Sequence, residues 1–151
     1  MKKLILVRHG EYEENEEMNL SQEGRKQIES LAEKLSAVTN GNPPLILVSP
    51  TTRTIESAEI ISKKLDAIVE KYKALYIGNR TGFSKFLEIL HERLDNEIII
   101  AVTHLEFCEG FPKYFGREYL EGIEFESERV EVGEACVVDI ETKTIKIIRR
   151  D

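Results

Sequence analysis

Short runs of consecutive aliphatic residues, with no polar residue between them, recur along the chain. The clearest runs are residues 4–7, 45–48 and 98–102. Such runs are typical of strands buried on both faces, as in a parallel sheet that helices cover on each side. A shorter run at residues 67–69 predicts a fourth strand.

Between these runs, apolar residues recur every three or four positions, which predicts three amphipathic helices. The three stripes are Ile28, Leu31, Ala32, Leu35 and Val38; Ile55, Ala58, Ile61 and Leu65; and Phe83, Phe86, Leu87, Leu90 and Leu94. Ser21 is placed to cap the start of the first helix, and residues 40–44 are placed to end it. Residues 135–140 and 144–148 predict a C-terminal β-hairpin.

The order of these elements defines a fold class. Alternating strands and helices predict an α/β fold, a three-layer αβα sandwich with a mostly parallel central sheet and helices on both faces. The C-terminal hairpin adds antiparallel strands at one edge. With 151 residues and 41% hydrophobic composition, we expect one domain spanning residues 1–151. The sequence leaves the role of segment 111–132 undecided: its residues either pack in the core or form a lid or a partner surface.

Polar side chains follow three of the strands at the point where each one ends. Arg8, His9 and Gly10 follow the first, Arg53 follows the second closely, and His104 follows the third. Because the carboxyl ends of parallel strands meet at one edge of a sheet, we expect the two arginines and two histidines to converge there. Gly10 would let the backbone turn closely around a ligand. The sequence therefore predicts a phosphate-sized anion site.

Each of these residues also has a structural interpretation. His9 and His104 could be capping or core histidines, and Arg53 an ordinary helix arginine. A cation near a helix start opposes the macrodipole, so a bound anion explains Arg53 better. His91 lies at the edge of a helical stripe and is expected to be a surface residue without a role. Cys108 and Cys136 are expected to be small buried hydrophobes.

The ordered set resembles the histidine phosphatase superfamily, also called the phosphoglycerate mutase-like family. The resemblance extends from the start of the chain to His104. It is carried by Arg8-His9-Gly10, Leu20-Ser21 with Gly24 and Gln27, Ser49-Pro50 with Arg53-Thr54 and Ser57-Ala58, and Val102-Thr103-His104. The compact length most resembles the short branch of SixA-type phosphohistidine phosphatases. The resemblance implies a phosphoglycerate mutase-like fold and a metal-independent phosphatase without a cofactor.

In such an enzyme His9 is the nucleophile, which attacks phosphorus as a neutral imidazole to give a phosphohistidine that water hydrolyses. Arg8, Arg53 and His104 complete the expected catalytic set, and the two arginines stand in for a metal. Neighbouring cations would lower the pKa of His9 and keep it neutral. The expected substrate-binding residues are Arg8, Gly10, Asn15, Arg53 and His104. Asn15 matches an asparagine of the mutase branch, although an exposed loop asparagine is an equally good interpretation.

One feature departs from the family pattern. Its phosphomonoesterases and mutases carry a glutamate, in the loop after the third strand, that protonates the leaving oxygen, whereas residues 73–80 contain no carboxylate. The aspartate that can follow the second histidine is replaced by Leu105. The nitrogen of a phosphohistidine leaves with less help than an alkoxide does, which favours a protein phosphohistidine as substrate. Glu11 and Glu106 are candidates to replace the missing acid.

Two further functions stay open. A proton donor would favour a small-molecule phosphomonoesterase, such as a sugar phosphate or α-ribazole phosphate phosphatase, or a phosphoglycerate mutase. The other alternative is a catalytically silent phosphate-binding module. The net charge of −7 argues against nucleic acid and anionic membranes as partners, which leaves a phosphorylated protein or a small phosphorylated metabolite. No run approaches the roughly 20 apolar residues of a membrane span, so we expect a cytoplasmic protein.

Overall fold

The computed structural model describes residues 1–150, which form one six-stranded mixed sheet. Its strands are β1 (Lys3–Arg8), β2 (Leu45–Val48), β3 (Ile68–Lys71), β4 (Ile98–Thr103), β5 (Ala135–Asp139) and β6 (Thr144–Ile148). The order across the sheet is β3-β2-β4-β1-β5-β6. Strands β1 to β4 run parallel, and the β5–β6 hairpin adds two antiparallel strands beside β1. The predicted α/β fold and edge hairpin are confirmed.

Four α-helices accompany the sheet within residues 1–150: α1 (Gln22–Thr39), α2 (Thr52–Leu65), α3 (Arg80–His91) and α4 (Leu105–Tyr119). A short 3₁₀ helix covers Lys73–Tyr76. The predicted cap of α1 is present, because the Ser21 hydroxyl accepts a hydrogen bond from the Gly24 N–H at 3.0 Å. Asn40 ends the helix in the left-handed region, with φ of 47°. No helix among residues 1–150 is long and apolar enough to cross a membrane.

The core lies in two layers, one on each face of the sheet. Along β1, Ile5 and Val7 pack on the layer formed with α1 and α2, whereas Leu4 and Leu6 pack on the layer formed with α3 and α4. Successive strand residues point to opposite faces, and both faces are covered here. This arrangement explains why the strands show no polar alternation in the sequence.

Helix α4 was not among the predicted helices. Pro112 lies inside it, and Gly110 and Gly116 are poor helix formers, so the local signal is weak. Its apolar face nevertheless buries Phe111 and Phe115 completely against the sheet. Within segment 111–132, whose role the sequence left undecided, Phe111 and Phe115 are therefore packing residues.

Several predicted boundaries also differ from the structure: β4 extends to Thr103 and β5 ends at Asp139, each one residue from the predicted end. Strand β3 extends to Lys71, because this edge strand pairs along its whole length with β2. Helix α3 ends at His91, before Leu94, whose carbonyl instead accepts a hydrogen bond from the N-terminal amino group of Met1 at 2.6 Å. Both cysteines are free and buried, as expected.

Candidate active site

The carboxyl ends of three parallel strands form the floor of the site. Strand β4 lies between β1 and β2, with Thr103 beside Arg8 and Val102 beside Val48. The residues that follow these strands are therefore neighbours, and the rings of His9 and His104 lie with centroids 5.5 Å apart. Residues separated by some 95 positions in the chain share one small volume at the sheet edge.

The hydrogen bonding of His9 defines which ring nitrogen is available for chemistry. Its Nδ1 lies 2.8 Å from the carbonyl oxygen of Gly10, and a carbonyl can only accept. Nδ1 therefore carries the proton, and Nε2 keeps its lone pair. Burial, together with the charges of Arg53 and Arg8, lowers the pKa of His9 from 6.5 to about 4. The imidazole is thus neutral at physiological pH.

The turn after β1 is held tightly between two helices. The Gly10 N–H donates to the Ser57 hydroxyl at 3.1 Å, and that hydroxyl donates to the Arg53 carbonyl at 2.7 Å. A Cβ atom at Gly10 would lie 2.7 Å from the Gly24 carbonyl oxygen, and one at Gly24 would lie 1.9 Å from the Glu11 carbonyl oxygen. Both positions need glycine because the turn contacts the first turn of α1 directly.

The two arginines are anchored at their outer ends, and each has an Nε atom without a hydrogen-bond partner in the described residues. Arg8 donates through Nη1 to the Val130 carbonyl at 3.0 Å. The Arg53 guanidinium lies 5.0 Å from the ring centroid of Tyr12, in a cation–π contact. The Nε atoms of both arginines are buried and make no hydrogen bond within residues 1–150. Buried donors are nearly always paired in proteins, and the oxygens of a phosphate would satisfy both.

His104 is held by Ser49 rather than by its own helix. Its Nε2 lies 2.9 Å from the Ser49 Oγ atom, and both side chains are buried. Although His104 is the N-cap residue of α4, its side chain makes no capping hydrogen bond. Burial, followed by the effects of His9, Arg53 and Arg8, lowers its pKa to about 3. The outer side of the ring faces Tyr76, with centroids 5.4 Å apart.

Asn15 and Glu11 lie on the exposed loop before α1. The Asn15 side-chain oxygen accepts a hydrogen bond from the Met18 N–H at 2.8 Å, which closes a local turn. The Glu11 carbonyl oxygen accepts from the backbone N–H of Ser21, which ties the loop to the start of α1. The role of Asn15 as a phosphate ligand stays a prediction.

Glu106 is the carboxylate that the structure brings toward His9. It lies in the first turn of α4, and its charge raises the pKa of His9, opposing the stronger effects that lower it. Within residues 1–150, the Glu106 carboxylate makes no hydrogen bond and no salt bridge. A Cβ atom at Gly78 would lie 2.5 Å from the Cβ of Glu106. The segment without a carboxylate, residues 73–80, therefore packs directly against Glu106.

Three contacts of the site had no sequence signal of their own. The Tyr12 and Tyr76 rings contact Arg53 and His104, and isolated tyrosines in loops give no indication of such contacts. The Val130 carbonyl that holds Arg8 comes from the loop after α4, 122 residues away. No group of three or more His, Cys, Asp or Glu side chains that could hold a metal ion occurs within residues 1–150.

Comparison with known proteins assigns the class. The model of the histidine phosphatase superfamily, branch 1, matches residues 4–76, which contain Arg8, His9, Gly10 and Arg53. The protein is an enzyme of the phosphatase class. The resemblance to the histidine phosphatase superfamily, branch 1, is confirmed over residues 4–76. No protein of curated function matches the sequence.

Several solved structures share the fold at low sequence identity. A SixA protein of Agrobacterium tumefaciens, assigned as a phosphohistidine phosphatase, is 15% identical, with a TM-score of 0.66 over 99% of this chain and 97% of that one. An Escherichia coli protein assigned as an α-ribazole-5′-phosphate phosphatase is 17% identical, with a TM-score of 0.71 over 100% and 97%. A mycobacterial glucosyl-3-phosphoglycerate phosphatase is 14% identical, with a TM-score of 0.70 over 100% and 97%. These similarities show the fold.

Proposed function

We propose that this protein hydrolyses a phosphorylated substrate through a covalent phosphohistidine at His9. The observation that carries the proposal is the state of that ring, which is neutral, with Nδ1–H bonded to the Gly10 carbonyl. The Nε2 lone pair forms a bond to phosphorus while the bond to the leaving group breaks and its electron pair departs with that group. Water then attacks the phosphohistidine, which releases phosphate and restores neutral His9.

In this proposal Arg8, Arg53 and His104 hold the phosphoryl group. Phosphoryl transfer depends mainly on positioning and on stabilising charge at the phosphoryl oxygens. The unpaired Nε donors of the two arginines support this role, because a guanidinium donates well to phosphate oxygens. Gly10 lets the turn approach the phosphate, and no metal is required. All these residues lie at the edge of one sheet, which supports the interpretation of residues 1–151 as a single domain.

We propose a protein phosphohistidine as the substrate. Residues 73–80 carry no carboxylate to protonate a leaving oxygen, and an imidazole leaves with less help. Exposed apolar side chains contact or adjoin the site residues: Met18 at 39% exposed, Tyr76 at 59% and Ile77 at 40%. Met18 contacts Arg53 through its sulfur, and Tyr76 contacts His104. An apolar rim of this kind suits the surface of a protein.

A second candidate, a small-molecule phosphomonoesterase, is favoured by Glu106. Its carboxylate makes no hydrogen bond or salt bridge with residues 1–150, and its charge acts on His9. A carboxylic acid there could give its proton to a leaving alkoxide. Glu106 would then decide between the two substrate classes.

The proposal is tested by phosphate release from a phosphohistidine peptide and from a panel of phosphomonoesters. We expect release from the peptide, loss of release in His9→Ala, and retention in His91→Ala, which replaces an exposed histidine at the end of α3. Faster release from an alkyl monoester, with a larger loss in Glu106→Gln for alkyl than for aryl esters, would establish the second candidate. Bound phosphate without release from any substrate would show a binding module and overturn both.

A further inference from the structure

Ser49 has one polar group whose role the fold does not explain. Its backbone N–H donates to the Val102 carbonyl at 3.1 Å. Its backbone carbonyl accepts from the Thr51 N–H at 2.9 Å and from the Thr54 hydroxyl at 2.6 Å. The backbone of Ser49 is therefore fixed between β4 and the first turn of α2. Only the hydroxyl remains, and it points to Nε2 of His104 at 2.9 Å.

The direction of that hydrogen bond follows from the proton of the serine. The Ser49 side chain is completely buried, and Nε2 of His104 is the single hydrogen-bond partner of its hydroxyl within residues 1–150. If Nε2 carried a proton and donated it to Oγ, the hydroxyl proton would have no acceptor. A buried donor without an acceptor costs about 1–3 kcal/mol, so the opposite direction is favoured.

We infer that Ser49 is a positioning residue that donates to Nε2 of His104 and thereby places the proton of this neutral ring on Nδ1. Nδ1 makes no hydrogen bond to any described residue, so its N–H is available to a phosphoryl oxygen. The tautomer itself follows from the contacts above, whereas its use in binding phosphate rests on the proposed function. His9 and His104 then have opposite tasks, because Nε2 of His9 gives its lone pair to phosphorus and Nδ1–H of His104 donates a hydrogen bond to a phosphoryl oxygen.

The two rings obtain their tautomers from different partners. A carbonyl oxygen, that of Gly10, can only accept, and it fixes the proton of His9 on Nδ1. A hydroxyl can donate or accept, and only the burial of Ser49 makes it a donor. A serine at this position therefore controls His104 in a way that an alanine, which fits the same space, cannot.

The ¹⁵N NMR spectrum of the histidine rings near neutral pH tests the inference without turnover. The ring nitrogens of a neutral histidine have distinct shifts when protonated or not, so the tautomer is read directly. We expect His104 of the wild-type protein in the Nδ1–H form and that of Ser49→Ala in a mixture of both forms. Ser62→Ala is the matched control, because it removes a serine hydroxyl bonded to the Ala67 carbonyl at the far end of α2.

Wild-type His104 in the Nε2–H form would overturn the inference, even if Ser49→Ala does not fold. If His104 keeps the Nδ1–H form in a folded Ser49→Ala protein, the positioning role of Ser49 is also overturned. Inhibition by inorganic phosphate, which competes with the substrate, gives the functional readout. We expect the affinity for phosphate to fall about tenfold in Ser49→Ala and to remain unchanged in Ser62→Ala. If the NMR result holds but phosphate affinity does not change, the role of Ser49 in phosphate binding is wrong while the tautomer assignment stands. If no variant or wild-type protein releases phosphate, the proposed function fails separately.

Discussion

The buried, neutral state of His9 makes the stability of this protein depend on pH. The unfolded chain binds a proton at His9 near its ordinary pKa of 6.5, whereas the folded chain does so only near a pKa of about 4. Between these values the unfolded state binds more protons, so the free energy of unfolding falls as the pH falls. Each pKa unit corresponds to about 1.36 kcal/mol. The contribution of His9 to the free energy of unfolding therefore falls by about 2.5 kcal/mol between about pH 7 and about pH 4.5.

The substitution His9→Asn isolates this loss, because asparagine does not titrate and its amide can still donate to the Gly10 carbonyl. Urea unfolding of the wild-type protein and the variant at both pH values measures it. The variant is expected to lose about 2.5 kcal/mol less than the wild-type protein on acidification. Carboxylates contribute to both proteins and largely cancel in the difference. His104 contributes to both as well, because burial, the first cause of its low pKa, is present with or without His9.

His91→Asn controls for the removal of a histidine outside the site and should follow the wild-type protein. An equal loss of stability in His9→Asn and the wild-type protein would show that folding does not hold His9 neutral. The argument for a nucleophile ready at neutral pH would then fail.

Three further outcomes follow from the contacts of the site and core. Arg53→Met keeps an unbranched stem but removes the guanidinium, and should weaken competition by inorganic phosphate about 10–100-fold; an unchanged inhibition constant would exclude Arg53 from the site. Gly24→Ala places a Cβ atom 1.9 Å from the Glu11 carbonyl oxygen, and should cost about 1–3 kcal/mol in urea unfolding; full stability would show that the turn can move. Phe86→Ala removes a fully buried ring and should lower the free energy of unfolding by about 3–5 kcal/mol in the same assay. A loss below about 1 kcal/mol would mean that neighbouring side chains move to fill the cavity.

The parts of the fold that local pattern determines were predictable. The aliphatic runs of β1, β2 and β4 required cover on both faces, and Ser21 marked the start of α1 at the observed cap. Parallel strands with a common direction also place His9 and His104 at one edge, and the structure has their rings in contact distance. These predictions needed only strand direction and residue order.

The missed parts depend on packing between distant segments. Helix α4 contains Pro112 and two glycines, and it forms because its phenylalanines fill the layer against the sheet. The approach of Gly78 to Glu106 follows from that packing, so the sequence could name Glu106 only as one of two candidate acids. Which nitrogen of His104 is free depends on the Ser49 contact, and no pattern in the chain indicates that.

The covalent phosphohistidine proposed at His9 can be trapped and identified. The protein is mixed with a phosphohistidine peptide or a reactive aryl phosphate, denatured in alkali within the first turnover, and examined by peptide mass spectrometry. We expect one phosphoryl group on His9 that is stable in alkali and lost in acid, and none in His9→Ala. Phosphate on another residue, or full turnover by His9→Ala without a phosphorylated intermediate, would contradict it.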